Sequence, residues 1–149
     1  MPSYSQGNFT PKNPGKYVGS FPIKFRSSWE QQFMLVLDNH PNVLQWASES
    51  VKIPYINPLT GKQTIYVPDF FIAYGDKSGK QRVELIEVKP SNQSRKDKLG
   101  RSKANQAHWI VNQAKWEAAR AFCKQKGIIF RVITEDDIFI GTKGNSKRR

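Results

Sequence analysis

The chain is poor in the residues that staple or anchor a protein. Cys123 is its one cysteine, so no disulfide can form within it and no cysteine cluster exists for zinc. His40 and His108 do not form a pair with metal-ligand spacing. No apolar run approaches the ~20 residues of a membrane span, and the N-terminus lacks the apolar core of a signal peptide. These absences predict a soluble protein made in a cytoplasm, with no membrane partner. Acid is scarce as well: 12 Asp and Glu stand against 24 Lys and Arg, a formal net charge of +12. Such a surface attracts polyanions, nucleic acid first; the plainer alternative is a protein kept soluble by its charge. With hydrophobic residues at 38 % of 149, the chain is too apolar to be disordered and fits one domain.

Residues 1–26 are polar and carry Lys12, Lys16, Lys24 and Arg26 with no acid. They read as a basic extended N-terminal arm, either docked on the domain through Tyr4, Phe9, Tyr17 and Phe21 or laid along a nucleic acid. Residues 27–140 form the folded domain, and 141–149 a basic tail. Ser27 opens a helix whose core face is Trp29, Phe33, Val36 and Leu37, stopped by Pro41. Strands are expected over 51–56, 62–74 and 82–89, joined by the turn signals Asn57-Pro58-Leu59-Thr60-Gly61 and Gly75-Asp76-Lys77-Ser78-Gly79, as an antiparallel meander. A basic loop over 91–103 leads to a long helix ending near Lys126. Its predicted stripe is Ala107, Ile110, Val111, Ala114, Ala118, Ala121 and Phe122, with Gly127 at the C-terminal cap position. A last strand covers 128–133, with a possible extension over 138–140. The helix before it is long enough for a parallel crossover. The fold class is α/β (α+β), a mixed sheet flanked by helices.

Two strings carry the chemistry: Val67-Pro68-Asp69-Phe70 and Ile86-Glu87-Val88-Lys89. Asp69 interrupts an apolar run, and Glu87 and Lys89 end another. Side chains alternate along a strand, so Glu87 and Lys89 share a face about 7 Å apart. Charges placed at apolar strand ends are costly unless compensated. A magnesium ion would compensate the carboxylates of Asp69 and Glu87, with the backbone carbonyl of Val88 as a further oxygen ligand. Lys89 would orient or deprotonate the attacking water, or stabilise charge growing on a phosphate. The plain alternative is a cross-strand salt bridge to Lys89.

These strings resemble the PD-(D/E)xK nuclease superfamily, whose restriction-endonuclease-like sheet presents Asp, Glu and Lys in this order. Ser28-Trp29-Glu30 and Val51-Lys52-Ile53-Pro54-Tyr55 extend the likeness to junction-resolving phage nucleases similar to endonuclease I. Asn13-Pro14-x-Lys16-Tyr17-x-Gly19 and Arg26-Ser27-Ser28-Trp29-Glu30 are similar to the head-completion nucleases of T-even-type phages, and transposon-end nucleases of the TnsA type share the helix-one glutamate. The resemblance covers residues 8 to about 133. It implies a nuclease domain over 27–140, with Glu30, Asp69, Glu87 and Lys89 catalytic and Glu30 a third metal carboxylate. Read locally, Ser27-x-x-Glu30 is a capping box, the alternative to the catalytic role. Mg²⁺ is the implied cofactor, with Mn²⁺ able to substitute. The implied setting is the phage-infected host cytoplasm, with the virion as a second location and capsid or portal proteins as partners.

The expected phosphate contacts are Arg26, Arg95, Lys96, Lys98, Arg101 and Lys103, with the tail from Lys147 to Arg149. Gln106, Asn112 and Lys115 read as the solvated face of the long helix, and Glu49 as a solvated acid. No base-reading motif is visible, so structure or ends, not sequence, would be recognised. Competing readings are a junction resolvase, a non-enzymatic DNA-binding virion protein that retains the fold, and an RNA-binding module.

Overall fold

The structure is a computed structural model that describes residues 6–89 and 103–134. Its centre is a four-stranded mixed sheet. Strand β3 (Val43–Ser48) pairs antiparallel with β6 (Phe70–Gly75), β6 pairs antiparallel with β7 (Gln81–Val88), and β7 pairs parallel with β8 (Ile129–Ile133). The crossover to β8 is made by the long helix α2, Lys103–Lys126. Two short hairpins flank the sheet: β1 (Gly7–Phe9) with β2 (Ile23–Phe25), and β4 (Ile53–Ile56) with β5 (Gln63–Tyr66).

Each face of the sheet buries its own core. Helix α1 (Ser28–Asn39) sets Phe33, Met34 and Leu37 against Trp46, Phe70, Ile72 and Ile86, and the β1–β2 hairpin adds Phe9, Ile23 and Phe25. On the opposite face, Trp116, Ala119 and Cys123 of α2 meet Leu85 and Phe130, and the β4–β5 hairpin contributes Ile53, Tyr55 and Tyr66. The alternation along β7, with Ile86 on one side and Leu85 on the other, feeds both cores and gives the mixed sheet with helices on both faces expected from the sequence.

Three expectations need correction. The segment read as one strand over 62–74 is two strands in two sheets, β5 and β6, because Pro68 has no N–H for a ladder and ends the pairing there. The meander is therefore a separate hairpin followed by the β6–β7 pair. Strand β3 went unread. Its burial does not alternate, since the register shifts between Val43 and Gln45. The stripe of α2 holds in part: Val111, Ala114, Ala118 and Phe122 pack against the core, but Ile110 and Ala121 are exposed, and the fully buried line runs through Trp116, Ala119 and Cys123. The possible strand over 138–140 and the basic loop up to residue 102 lie outside the described residues.

Residues 6–26 are docked, not extended. Asp38, at the end of α1, accepts hydrogen bonds from the amides of Lys12 (2.7 Å) and Asn13 (3.0 Å). The Asn13 side chain donates to the Asp38 carbonyl, and Lys16 Nζ donates to the carbonyls of Asp38 and His40. Tyr17 is buried edge-on against Trp46, with ring centroids 4.8 Å apart. The Val18 amide donates to the Trp46 carbonyl, so the segment covers the free edge of β3. Gly19 has a steric reason to be glycine: a Cβ there would lie 2.6 Å from the Tyr17 hydroxyl. The Asn-Pro-x-Lys-Tyr-x-Gly string is thus a clip that ties the N-terminal segment to α1 and β3.

Candidate active site

The β6–β7 ladder ends at the Phe70–Ile86 pair. One residue beyond it, Asp69 and Glu87 stand where the two strands part, so the end of the sheet holds the two strings singled out in the sequence. Asp69 Oδ2 accepts from the Val88 amide at 2.8 Å. Glu87 is buried; its Oε1 accepts from the Tyr66 hydroxyl at 2.7 Å, and its Oε2 lies 3.7 Å from Lys89 Nζ. The Lys89 amide donates to the Ile133 carbonyl on β8. Across that trans peptide, the Val88 carbonyl must point the other way, toward the edge that carries Asp69. Two carboxylates and one carbonyl therefore share a corner that Lys89 adjoins.

The electrostatics of this corner are unbalanced. Burial raises the Asp69 carboxyl well above the usual range, and repulsion from Glu87 and Glu30 adds to it against the Val88 amide and Lys89. Burial also raises Glu87, opposed by the Tyr66 hydrogen bond and by the charges of Lys89 and Lys115. A hard divalent cation with oxygen ligands would relieve both groups, so the donor set fits a magnesium-type ion. Among the described residues no three of Asp, Glu, His and Cys converge closely enough to enclose an ion. The arrangement is a pair of carboxylates with Glu30 farther off.

Glu30 enters from α1. Ser27 caps that helix, its Oγ accepting from the Glu30 amide at 3.1 Å. The reciprocal half of a capping box is displaced by one residue, because Glu30 Oε1 accepts from the amide of Arg26, not of Ser27. Burial raises the Glu30 carboxyl, against the Arg26 amide and guanidinium. It is felt electrostatically by Asp69, which ties it to the corner.

Other sequence candidates sit differently. Arg26 is engaged by Glu49 through both terminal guanidinium nitrogens, Nη2 at 3.2 Å from Oε1. Glu49, read as a solvated acid, is in this ion pair. It holds φ at 50°, a left-handed value uncommon outside glycine, and its amide donates to the Asp69 carbonyl at 2.9 Å. Lys103 is exposed at the start of α2, whereas Arg95, Lys96, Lys98 and Arg101 lie outside the described residues. Gln106 is exposed, but Asn112 and Lys115 are half-buried. Tyr66 was missed altogether. Its only sequence signal is period two from Thr64 in β5, which marks a face and not a partner. Burial and the Glu87 charge push its phenol pKa far up, so it stays a neutral donor.

Residues 40–135 match the family described as TnsA-like endonuclease N terminal. The chain belongs to that family. The match spans β3 to β8 and includes Asp69, Glu87 and Lys89, while Glu30 precedes it. The head completion nuclease of Enterobacteria phage T4 is 34 % identical over 149 aligned residues, spanning 93 % of this chain and 97 % of that protein. The TnsA-like match and this relative make the chain an endonuclease and imply dependence on a divalent metal. No helix among the described residues is long and apolar enough to cross a membrane.

Proposed function

We propose that the protein is a Mg²⁺-dependent endodeoxyribonuclease acting in phage head completion; the T4 relative is named a head completion nuclease. The observation that carries it is the pairing of Asp69 and Glu87, both raised by burial, at the end of the β6–β7 ladder beside Lys89. Asp69, Glu87 and the Val88 carbonyl would hold the ion, with Glu30 joining them on its open side; Mn²⁺ would substitute. When bound, the ion supplies Lewis acidity to the phosphodiester and acidifies water. Lys89, 3.7 Å from Glu87, holds its ammonium beside the corner, where it would orient an attacking water or stabilise a phosphate oxygen. Tyr66 fixes the Glu87 rotamer and leaves Oε2 to face Lys89. The +12 charge attracts the DNA backbone without reading bases. Arg26 and Lys103, with Arg95, Lys96, Lys98 and Arg101, serve it, and structure or ends select the site. Capsid or portal proteins are the partners in that setting. Residues 27–140 make up the nuclease domain, with 141–149 as a basic tail.

The test is cleavage of supercoiled, linear and branched DNA with Mg²⁺, Mn²⁺ or chelator. We expect metal-dependent cutting that falls about 10³-fold in Asp69→Ala and about 10²-fold or more in Lys89→Ala. Native cutting that persists in chelator, or that survives both substitutions, would sink the reading. Preference for four-way junctions by a dimer would move the assignment to junction resolution.

A further inference from the structure

Lys115 has no part in the motifs above, yet α2 brings it to the site. It precedes Trp116, the residue whose ring anchors α2 in the core, and so sits at the edge of the buried line, itself half-buried. Its Nζ stands over the Tyr66 ring, 5.7 Å from the centroid, a geometry that attracts an ammonium to the ring face. The hydroxyl of that same ring holds Glu87 Oε1. Lys89 takes the other oxygen of Glu87. No carboxylate among the described residues forms an ion pair with Lys115. Glu87 thus has two lysines and a phenol near it, in a corner that it shares with the Asp69 carboxylate. A half-buried ammonium held over a ring, with no carboxylate of the described residues within ion-pair distance, can take an anion that arrives from outside.

We propose that Lys115 is a substrate-contacting residue: its ammonium, railed by the Tyr66 ring, takes a phosphate oxygen of the DNA strand lying beside Glu87. This rests on the nuclease reading above. It adds a fifth functional position, from the crossover helix, to the four on α1 and at the ends of β6 and β7. Lys89 serves the reacting centre, and Lys115 holds the backbone in register beside it. Tyr66 has two duties in this arrangement, its oxygen for Glu87 and its face for Lys115.

A phosphate contact differs from mere support of Glu87 in its salt dependence. Each phosphate neutralised by a protein cation contributes about −0.9 to the slope of log K against log salt on duplex DNA. Equilibrium binding of the full chain to a short duplex, with Ca²⁺ replacing Mg²⁺ to hold back cutting, is measured across a salt series. The chains compared are native, Lys115→Met, Lys115→Gln, Lys115→Arg and Tyr66→Phe. We expect the slope to become shallower by about 0.9 in Lys115→Met and Lys115→Gln, and to return to native in Lys115→Arg. Tyr66→Phe, which keeps the ring face, keeps the native slope. Native binding with an unchanged slope in both neutral variants overturns the contact while leaving the nuclease reading intact, even if their cutting is slow. A native chain that neither binds nor cuts DNA overturns the nuclease reading, and the contact with it.

Discussion

The molecule buries two kinds of carboxylate. Asp38 and Glu84 lie away from the strand ends, and every oxygen has a donor: Asp38 takes the amides of Lys12 and Asn13, and Glu84 takes Arg131 Nε at 2.7 Å and the Tyr74 hydroxyl at 2.5 Å. Glu84 in turn helps push the Tyr74 phenol up to about 12, after burial itself. Asp69 and Glu87 are served less well. Asp69 has one amide on one oxygen, and Glu87 has the Tyr66 hydroxyl, a loose ion pair with Lys89 and a weaker interaction with the Asp69 backbone. Asp69 is crowded by the like charges of Glu87 and Glu30, and burial raises both groups. The difference separates a buried charge that fastens a fold from one that waits for a cation. A satisfied carboxylate stabilises through its hydrogen bonds, whereas an under-served one costs stability until something positive arrives.

The same substitution should therefore act with opposite sign in the two sets. Asp38→Asn replaces one acceptor oxygen by an NH₂ that faces an amide donor, and it loosens the clip holding residues 12–17. We expect it to lower unfolding free energy by about 2–3 kcal/mol in metal-free protein, read from urea melts. Asp69→Asn removes a repelled charge while its oxygen can still accept from Val88. We expect the metal-free chain to gain about 1 kcal/mol while losing cutting, the exchange of stability for function usual at such sites. If Asp69→Asn destabilises as Asp38→Asn does, Asp69 belongs with the structural carboxylates and the distinction fails.

The two sets were not equally legible in the sequence. Glu87 and Lys89 stood out because strand alternation puts a charged pair on one face at the end of an apolar run, a local pattern. Asp69 stood out because it interrupts Ile65 to Ile72, although Pro68 made that run two strands, a break the hydrophobicity concealed. The mixed sheet followed from element order, since α2 supplies the length a parallel crossover needs. Asp38 gave no signal: its donors are backbone amides 25 and 26 residues away, and an amide carries no side-chain signature. Tyr66 and Lys115 were hidden for a related reason. Their meeting depends on how the β4–β5 hairpin and α2 pack on one face of the sheet, where Trp116 takes the buried centre beside the expected stripe. Glu30 could be read as cap or ligand. Its bond to the Arg26 amide shows only that the local pattern is displaced by a residue.

A smaller effect sharpens the contrast through pH. Asp69, Glu87 and Glu30 all have folded-state carboxyls raised above their ordinary values, burial being the first cause in each. Between the ordinary carboxylate range and these raised values the folded state binds more protons than the unfolded chain. Linkage then makes stability fall as pH rises through that window, and recover as pH falls toward the ordinary range. Asp76 runs the other way: hydrogen bonds from Ser78 and the Arg82 guanidinium hold its carboxyl well below the usual range. Its contribution is lost only at lower pH. Metal-free protein should therefore melt a few degrees higher near pH 5.5 than near pH 7.5. The difference should shrink in Asp69→Asn and vanish when Mg²⁺ is added, because the ion takes the place of the protons. A melting temperature that instead rises from pH 5.5 to pH 7.5 without metal would mean that the corner is already neutralised by the chain's own cations, with Lys89 and Lys115 sufficient partners for Glu87.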